Sequence, residues 1–122
     1  MILLDTNALI WLAQGHRRAS NLARSPNPLY ASPASLLELQ LLIEAGRVRL
    51  RSTTLESFVD DPRWAVDDPP AADWFHETWT LSWTRDPFDR LLVAHARLRG
   101  WKLATADSHL LSQLPGAEAL AL

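Results

Sequence analysis

The strongest constraint lies in the first ten residues. Ile2-Leu3-Leu4 is a short apolar run that stops at an acid, Asp5, and Thr6-Asn7 and the apolar Ala8-Leu9-Ile10 follow. A short, continuously apolar run of this kind reads as a strand buried on both faces, the habit of a central strand in a parallel sheet. Asp5 then stands at the strand's carboxyl end, where open α/β sheets place their ligands. Thr6 and Asn7 are expected to cap a helix running from Ala8 to Gln14, with Gly15 as its stop. Any further polar group delivered to the same sheet edge will lie near Asp5.

The remaining chain alternates helix and strand signals. A short helix is expected at Ala19 to Arg24, a turn at Ser25-Pro26-Asn27-Pro28 and a short strand at Leu29-Tyr30-Ala31. Ser32-Pro33 supplies a good N-cap and first helical residue. The helix it opens carries Leu36, Leu37, Leu39, Leu41, Leu42 and Ile43 before Gly46, so it is expected to be largely buried. Ser35 and Glu38 lie one turn apart in its first half. Arg47 to Arg51 alternates basic and apolar residues, which predicts a half-exposed extended segment with three arginines on one face. Thr54 suits the cap of a helix through Val59. Asp60-Asp61-Pro62 and Asp67-Asp68-Pro69-Pro70 bracket a loop, and a helix is expected from Pro70 to about Leu81, with Ala72, Phe75 and Trp79 on one face.

Asp86-Pro87 repeats the cap-and-proline start, with Asp89 at the third helical position and Gly100 as the stop. Trp101 to Thr105 reads as a strand, followed by Ala106-Asp107 much as Asp5 follows the first strand. Ser108 to Leu114 forms a short helix, and Ala119 to Leu122 an edge strand. The alternation predicts an α/β fold with a parallel sheet. At 122 residues, the chain fits one domain over residues 1–122. It contains no cysteine, which excludes disulfides and cysteine-based zinc sites and favours a reducing, cytoplasmic setting. No segment reads as an export signal or as a membrane span, so no membrane partner is expected.

The formal charge of −2 argues by itself against a nucleic-acid binder. Setting aside the five acids Asp5, Glu38, Asp86, Asp89 and Asp107 leaves the rest of the chain at +3. If those five face one sheet edge, they form a cluster of like charge that is costly unless a divalent cation fills it. Ligation by oxygen alone selects Mg²⁺ or Mn²⁺ over zinc. Phosphoryl hydrolysis is the chemistry such a site serves best. Each acid also has a plain structural explanation. Asp5, Asp86 and Asp107 suit helix caps, Asp89 suits a helix dipole, and Glu38 suits an ion pair with an arginine such as Arg47.

Taken together, these residues resemble the PIN-domain family and, within it, the VapC-type toxins of bacterial toxin–antitoxin pairs. The resemblance rests on Leu3-Leu4-Asp5-Thr6-Asn7, on Ser35-Leu36-Leu37-Glu38, on the run Arg85 to Leu92, and on Thr105-Ala106-Asp107, and it spans nearly the whole chain. It implies a Rossmann-like three-layer α/β/α sandwich and endoribonuclease activity that depends on Mg²⁺, with Mn²⁺ as a substitute. It also implies a cognate antitoxin and a homodimer. Asp5, Glu38, Asp89 and Asp107 match the family's acidic quartet, which makes them the candidate catalytic and metal-holding residues. Thr6, Asn7, Ser35 and Thr105 would orient carboxylates or water, and Asp86 is either a supporting residue or only a cap. Thr84 departs from the subgroup, where a histidine often stands, and this bears on substrate preference.

Outside the acids, Arg47, Arg49, Arg51 and Arg90 are candidates for RNA phosphates, against the plain reading of a solvated arginine face. Six tryptophans exceed what a core of this size needs, so some are expected at a partner surface. Of the four histidines, His95 reads as a packed core residue, and His109, two residues after Asp107, is the one near the site. Two other functions compete. One is a catalytically silent RNA- or protein-binding module. The other is a small metal-dependent phosphatase, against which Asn7 breaks the expected Asp-x-Asp pair.

Overall fold

The first strand, β1 (Ile2–Leu4), is buried along its whole length, and its side chains divide between two cores. Ile2 and Leu4 pack into one and Leu3 into the other, as the twofold period of a strand requires. The computed structural model describes residues 1–50 and 54–122. In it β1 is the middle of a five-stranded sheet with β2 (Leu29–Ala31), β3 (Ala65–Val66), β4 (Lys102–Thr105) and β5 (Ala119–Ala121), in the order β3-β2-β1-β4-β5. Every pairing is parallel.

Helices cover both faces. Residues from α1 (Thr6–Gln14), α2 (Ser20–Ala23), α3 (Pro33–Glu44) and α4 (Leu55–Val59) build the core around Ile2 and Leu4. α5 (Ala71–Glu77), α6 (Pro87–Arg99) and α7 (Ser108–Gln113) build the core around Leu3. The result is the three-layer α/β/α arrangement with a parallel sheet that is buried on both sides. No described helix is long and apolar enough to cross a membrane.

Local chemistry sets the helix boundaries. Ser32 Oγ accepts from the Ala34 N–H at 3.2 Å and Pro33 fills the first position of α3. Asp86 Oδ1 accepts from the N–H groups of Phe88 and Asp89 at 2.8 and 3.1 Å at the start of α6. Gly100 closes α6 in the left-handed region at φ 72°, where a side chain would be strained.

Four expectations need correction. α1 starts at Thr6, and its cap is Asp5, not Thr6 or Asn7. α3 is not largely buried, because its apolar residues surround the axis while neighbours cover only part of it. Leu37 is 56% and Leu41 46% exposed. Arg47 to Leu50 forms no strand. Arg47 and Arg49 are nevertheless exposed while Val48 and Leu50 pack on the first core, so the alternation records burial and not pairing. The end of that segment, Arg51, lies outside the described residues. Finally, the expected loop before Asp67 contains β3, and the helix from Pro70 stops at Glu77, followed by a 3₁₀ turn at Thr78–Thr80. On that helix Trp74 is buried and Phe75 exposed, and Trp79, in the 3₁₀ turn, is exposed too.

Candidate functional site

β1 and β4 are neighbours, paired from Ile2 with Lys102 to Leu4 with Ala104. The chain moves from β1 outward to β2 and β3, then returns to the other side of β1 for β4 and β5. The carboxyl ends of β1 and β4 therefore flank the point where the strand order reverses, and the crevice there is the usual ligand position in such sheets. Asp5 follows β1 directly, its N–H donating to the Ala104 carbonyl at 3.1 Å. Asp107 follows β4 after one residue, its N–H donating to Thr105 Oγ1 at 3.0 Å.

A cleft of about 190 Å³ opens at this edge, and Asp5, Thr6, Asn7, Glu38, Asp86, Asp89 and Asp107 all line it, with Leu42, Leu92 and Leu110 as its apolar wall. β1, α3, the start of α6 and the end of β4 thus bring together acids spread over more than a hundred positions of the chain. Two of the remaining candidates lie just behind. Thr6 Oγ1 is hydrogen-bonded to the fully buried Ser35 Oγ at 3.1 Å and also meets the Glu38 carboxyl. The Thr105 side chain, fully buried, is a hydrogen-bond partner of Asp5.

Three of the acids also act as caps. Asp5 Oδ1 accepts from the Ala8 N–H at 2.7 Å. Asp107 Oδ1 accepts from His109 and Leu110 at 2.8 and 3.0 Å, and Asp86 caps α6. Each cap occupies one carboxylate oxygen, so capping and a role in the cleft are compatible. Glu38 caps nothing, and the Asp89 side chain makes no hydrogen bond among the described residues.

The electrostatics are unfavourable as they stand. Burial, followed by the charges of Asp86, Asp107, Glu38 and Asp5, pushes Asp89 from 3.8 up to about 7. Burial also raises Glu38, with Asp86 and Asp5 adding to it, and raises Asp5 against hydrogen bonds from Thr105 and Ala8. Among the described residues none of the five acids is in an ion pair. Carboxylates held together without a cation are costly, and a divalent ion removes that cost. The oxygen donors suit Mg²⁺ or Mn²⁺. No three histidine or acidic side chains among the described residues are gathered tightly enough to hold an ion as placed, so the acids share a cleft without forming a closed coordination sphere.

The matched region of the sequence, residues 2–116, corresponds to the PIN domain. The chain belongs to the PIN-domain family. Solved structures agree on the fold of this PIN domain. A chain of a toxin–antitoxin complex from Klebsiella pneumoniae superposes with a TM-score of 0.73 at 19% identity, covering 99% of this chain and 97% of that one. A chain of VapBC2 from Rickettsia felis, bound to a DNA fragment from its promoter, gives 0.70 at 19% identity, covering 100% and 99%. No curated protein matches the sequence.

Of the arginine candidates of this PIN domain, the described ones, Arg47, Arg49 and Arg90, fall outside the cleft lining. Arg90 is held in place, with Nε donating to the Thr84 carbonyl at 2.7 Å and Nη1 to the Thr78 carbonyl at 3.5 Å. Arg47 and Arg49 are exposed on the segment after α3.

A polar cluster with no clear sequence signal lies toward the other end of the same sheet edge. His95, fully buried on α6, joins Ser32 Oγ through Nδ1 at 2.9 Å and Asp67 Oδ2 through Nε2 at 2.7 Å. Arg99 grips Asp67 with Nε at 2.8 Å and Nη2 at 3.2 Å. Burial depresses the His95 pKa against the pull of Asp67. A neutral ring with its proton on Nε2 satisfies the whole chain, because Ser32 then donates to Nδ1 while accepting from Ala34. The order serine, histidine, aspartate resembles a hydrolytic triad, but Ser32 and His95 are both fully buried. The cluster is a structural tie between α3, α6 and the end of β3.

Proposed function

We propose that this PIN-domain protein is a divalent-metal-dependent endoribonuclease, acting as the toxin of a toxin–antitoxin pair. The observation that carries the reading is a cleft at the sheet's switch point lined by five acids, none of them paired with a cation among the described residues. Asp5, Glu38, Asp89 and Asp107 are assigned to hold Mg²⁺, with Mn²⁺ as a substitute. When bound, the cation neutralises phosphate charge and lowers the pKa of a coordinated water.

The chain's own residues do the positioning. The Ala8 N–H and Thr105 fix the Asp5 carboxylate, and the Ser35–Thr6 pair steadies Glu38. Asn7, exposed at the cleft, is placed to orient water or a phosphate oxygen. Asp86 caps α6, lines the cleft and is the first of the neighbouring charges that raise Asp89.

The toxin reading draws support from the structural neighbours in toxin–antitoxin complexes. A cognate antitoxin or a second copy in a homodimer, in the cytoplasm, would account for the exposed Leu37, Leu41, Phe75 and Trp79. The test is cleavage of a labelled RNA in Mg²⁺ or Mn²⁺. EDTA is expected to stop it, and Asp5→Asn to slow it by at least about 100-fold, the scale of losing one preorganised electrostatic group. Cleavage that persists in both cases rejects the reading.

A further inference from the structure

Without its cation the acid-lined cleft repels an RNA strand, so in that state the rim supplies what holds the strand. On one side of the cleft the loop Trp83-Thr84-Arg85 leads into Asp86, and on the adjacent side Asp107 leads into His109. These two approaches meet. The Trp83 and His109 rings lie 5.6 Å apart at 67°, and His109 Nε2 donates to the Trp83 carbonyl at 3.1 Å. The same His109 is bound by its backbone N–H to Asp107 Oδ1. An aromatic pair thus bridges the starts of α6 and α7, within a turn of two cleft acids.

The pair is rigidly mounted. Arg90 Nε holds the Thr84 carbonyl, and the buried Thr84 Oγ1 accepts from the Asp86 N–H at 3.3 Å. Trp83 is only half-buried and His109 is exposed, so part of the aromatic surface remains open to solvent. Between them in sequence, Arg85 is exposed, and no ion pair or hydrogen bond holds its guanidinium among the described residues. Aromatic faces beside an uncommitted cation are what proteins use to hold unstacked bases along a single strand.

We propose that a nucleobase next to the cleaved phosphodiester of a single-stranded RNA stacks on the Trp83–His109 pair, while Arg85 meets a neighbouring phosphate. This inference rests on the nuclease reading and names how that site takes hold of its substrate. A duplex, whose bases are already stacked, cannot use such a platform. Preference for unpaired RNA follows.

The experiment measures binding of a short fluorescent single-stranded RNA in EDTA at low salt, so that no cleavage intervenes. Trp83→Ala and His109→Ala are each expected to weaken binding, roughly 5- to 150-fold for the loss of one base stack, and Trp83→Phe to retain most of it. His109 is exposed, so His109→Ala serves if Trp83→Ala does not fold. Arg85→Gln is expected to flatten the dependence of log affinity on log salt by about 0.7. An RNA with one abasic ribonucleotide at the stacking position should bind wild type as weakly as the intact RNA binds the His109→Ala protein, with no further loss when both changes are combined. Unchanged binding in folded His109→Ala and in folded Trp83→Ala, or abasic and side-chain losses that simply add, overturns the platform. Neither result touches metal-dependent cleavage by wild type. Conversely, cleavage that survives Asp5→Asn rejects the nuclease reading while leaving the binding data standing.

Discussion

Asp89→Asn should make the metal-free protein more stable at pH 8. The other four cleft acids each make a hydrogen bond that a substitution would disturb, whereas the Asp89 side chain makes none among the described residues. Its carboxyl is displaced from 3.8 to about 7 by burial and by the charges of four acids. At about 1.4 kcal/mol per pH unit, that displacement sets a ceiling near 4 kcal/mol. Asp89 is only half-buried, so solvent screens a large part of it. Asn also gives up the attraction of a negative charge to the start of α6, worth about 0.3–1 kcal/mol. The net gain is about 1–2 kcal/mol, or about 3–8 °C in Tm for a domain of this size.

The sign follows from proton uptake. The folded protein binds the Asp89 proton more tightly than the unfolded chain does, so ionisation costs stability progressively from pH 4 to pH 7 and in full above that. The advantage of Asp89→Asn should therefore vanish near pH 4. Thermal unfolding in EDTA from pH 4 to 8 measures it. Adding Mn²⁺ should reverse the order at pH 8, with saturation at a hundred times Kd contributing about 2.7 kcal/mol to wild type and less to the variant. A variant that is destabilised at pH 8 in EDTA refutes the picture of crowded, uncompensated carboxylates.

Other outcomes follow from the same structure. His95→Leu should cost about 2–4 kcal/mol by urea unfolding, since it removes one buried and one partly buried hydrogen bond. In wild type the depressed His95 pKa means that the unfolded chain takes up the proton first, so this group's contribution to stability should fall as pH drops below 6.5 and be absent from the pH dependence of His95→Leu. Replacing Arg47, Arg49 and Arg51 together by Gln should flatten the salt dependence of RNA binding by about 0.7 for each arginine that meets a phosphate, and an unchanged slope removes them from the RNA path. Arg90→Gln should leave that slope alone and lower Tm, because its guanidinium is committed to the carbonyls of Thr84 and Thr78.

The elements with a local cause were legible in the sequence. Ile2–Leu4 announces a doubly buried strand by its lack of polar residues, and Ser32-Pro33 and Asp86-Pro87 announce α3 and α6 by their caps. The position of Asp5 and Asp107 after two strands pointed to the cleft, because the sheet rule translates a place in sequence into a place at an edge. Features set by long-range packing were not legible. β3 has two residues, too few to show any period, and exists because β2 offers it an edge. Trp74 is buried and Trp79 exposed on one helical stretch, a choice made by α6 and not by local pattern. Asp67 looked like part of a turn, yet it anchors His95 and Arg99 from distant α6. Arg90 looked like a surface cation because nothing in its neighbourhood shows that two carbonyls await it.

The central claim is that the acids at the junction of β1 and β4 form one cation site. An anomalous difference map from crystals soaked in Mn²⁺ tests it most directly. A peak in the cleft within bonding distance of Asp5 and at least one of Glu38, Asp89 and Asp107 is the predicted result. A clean map over the cleft at saturating Mn²⁺, or a peak bound elsewhere on the chain, contradicts it.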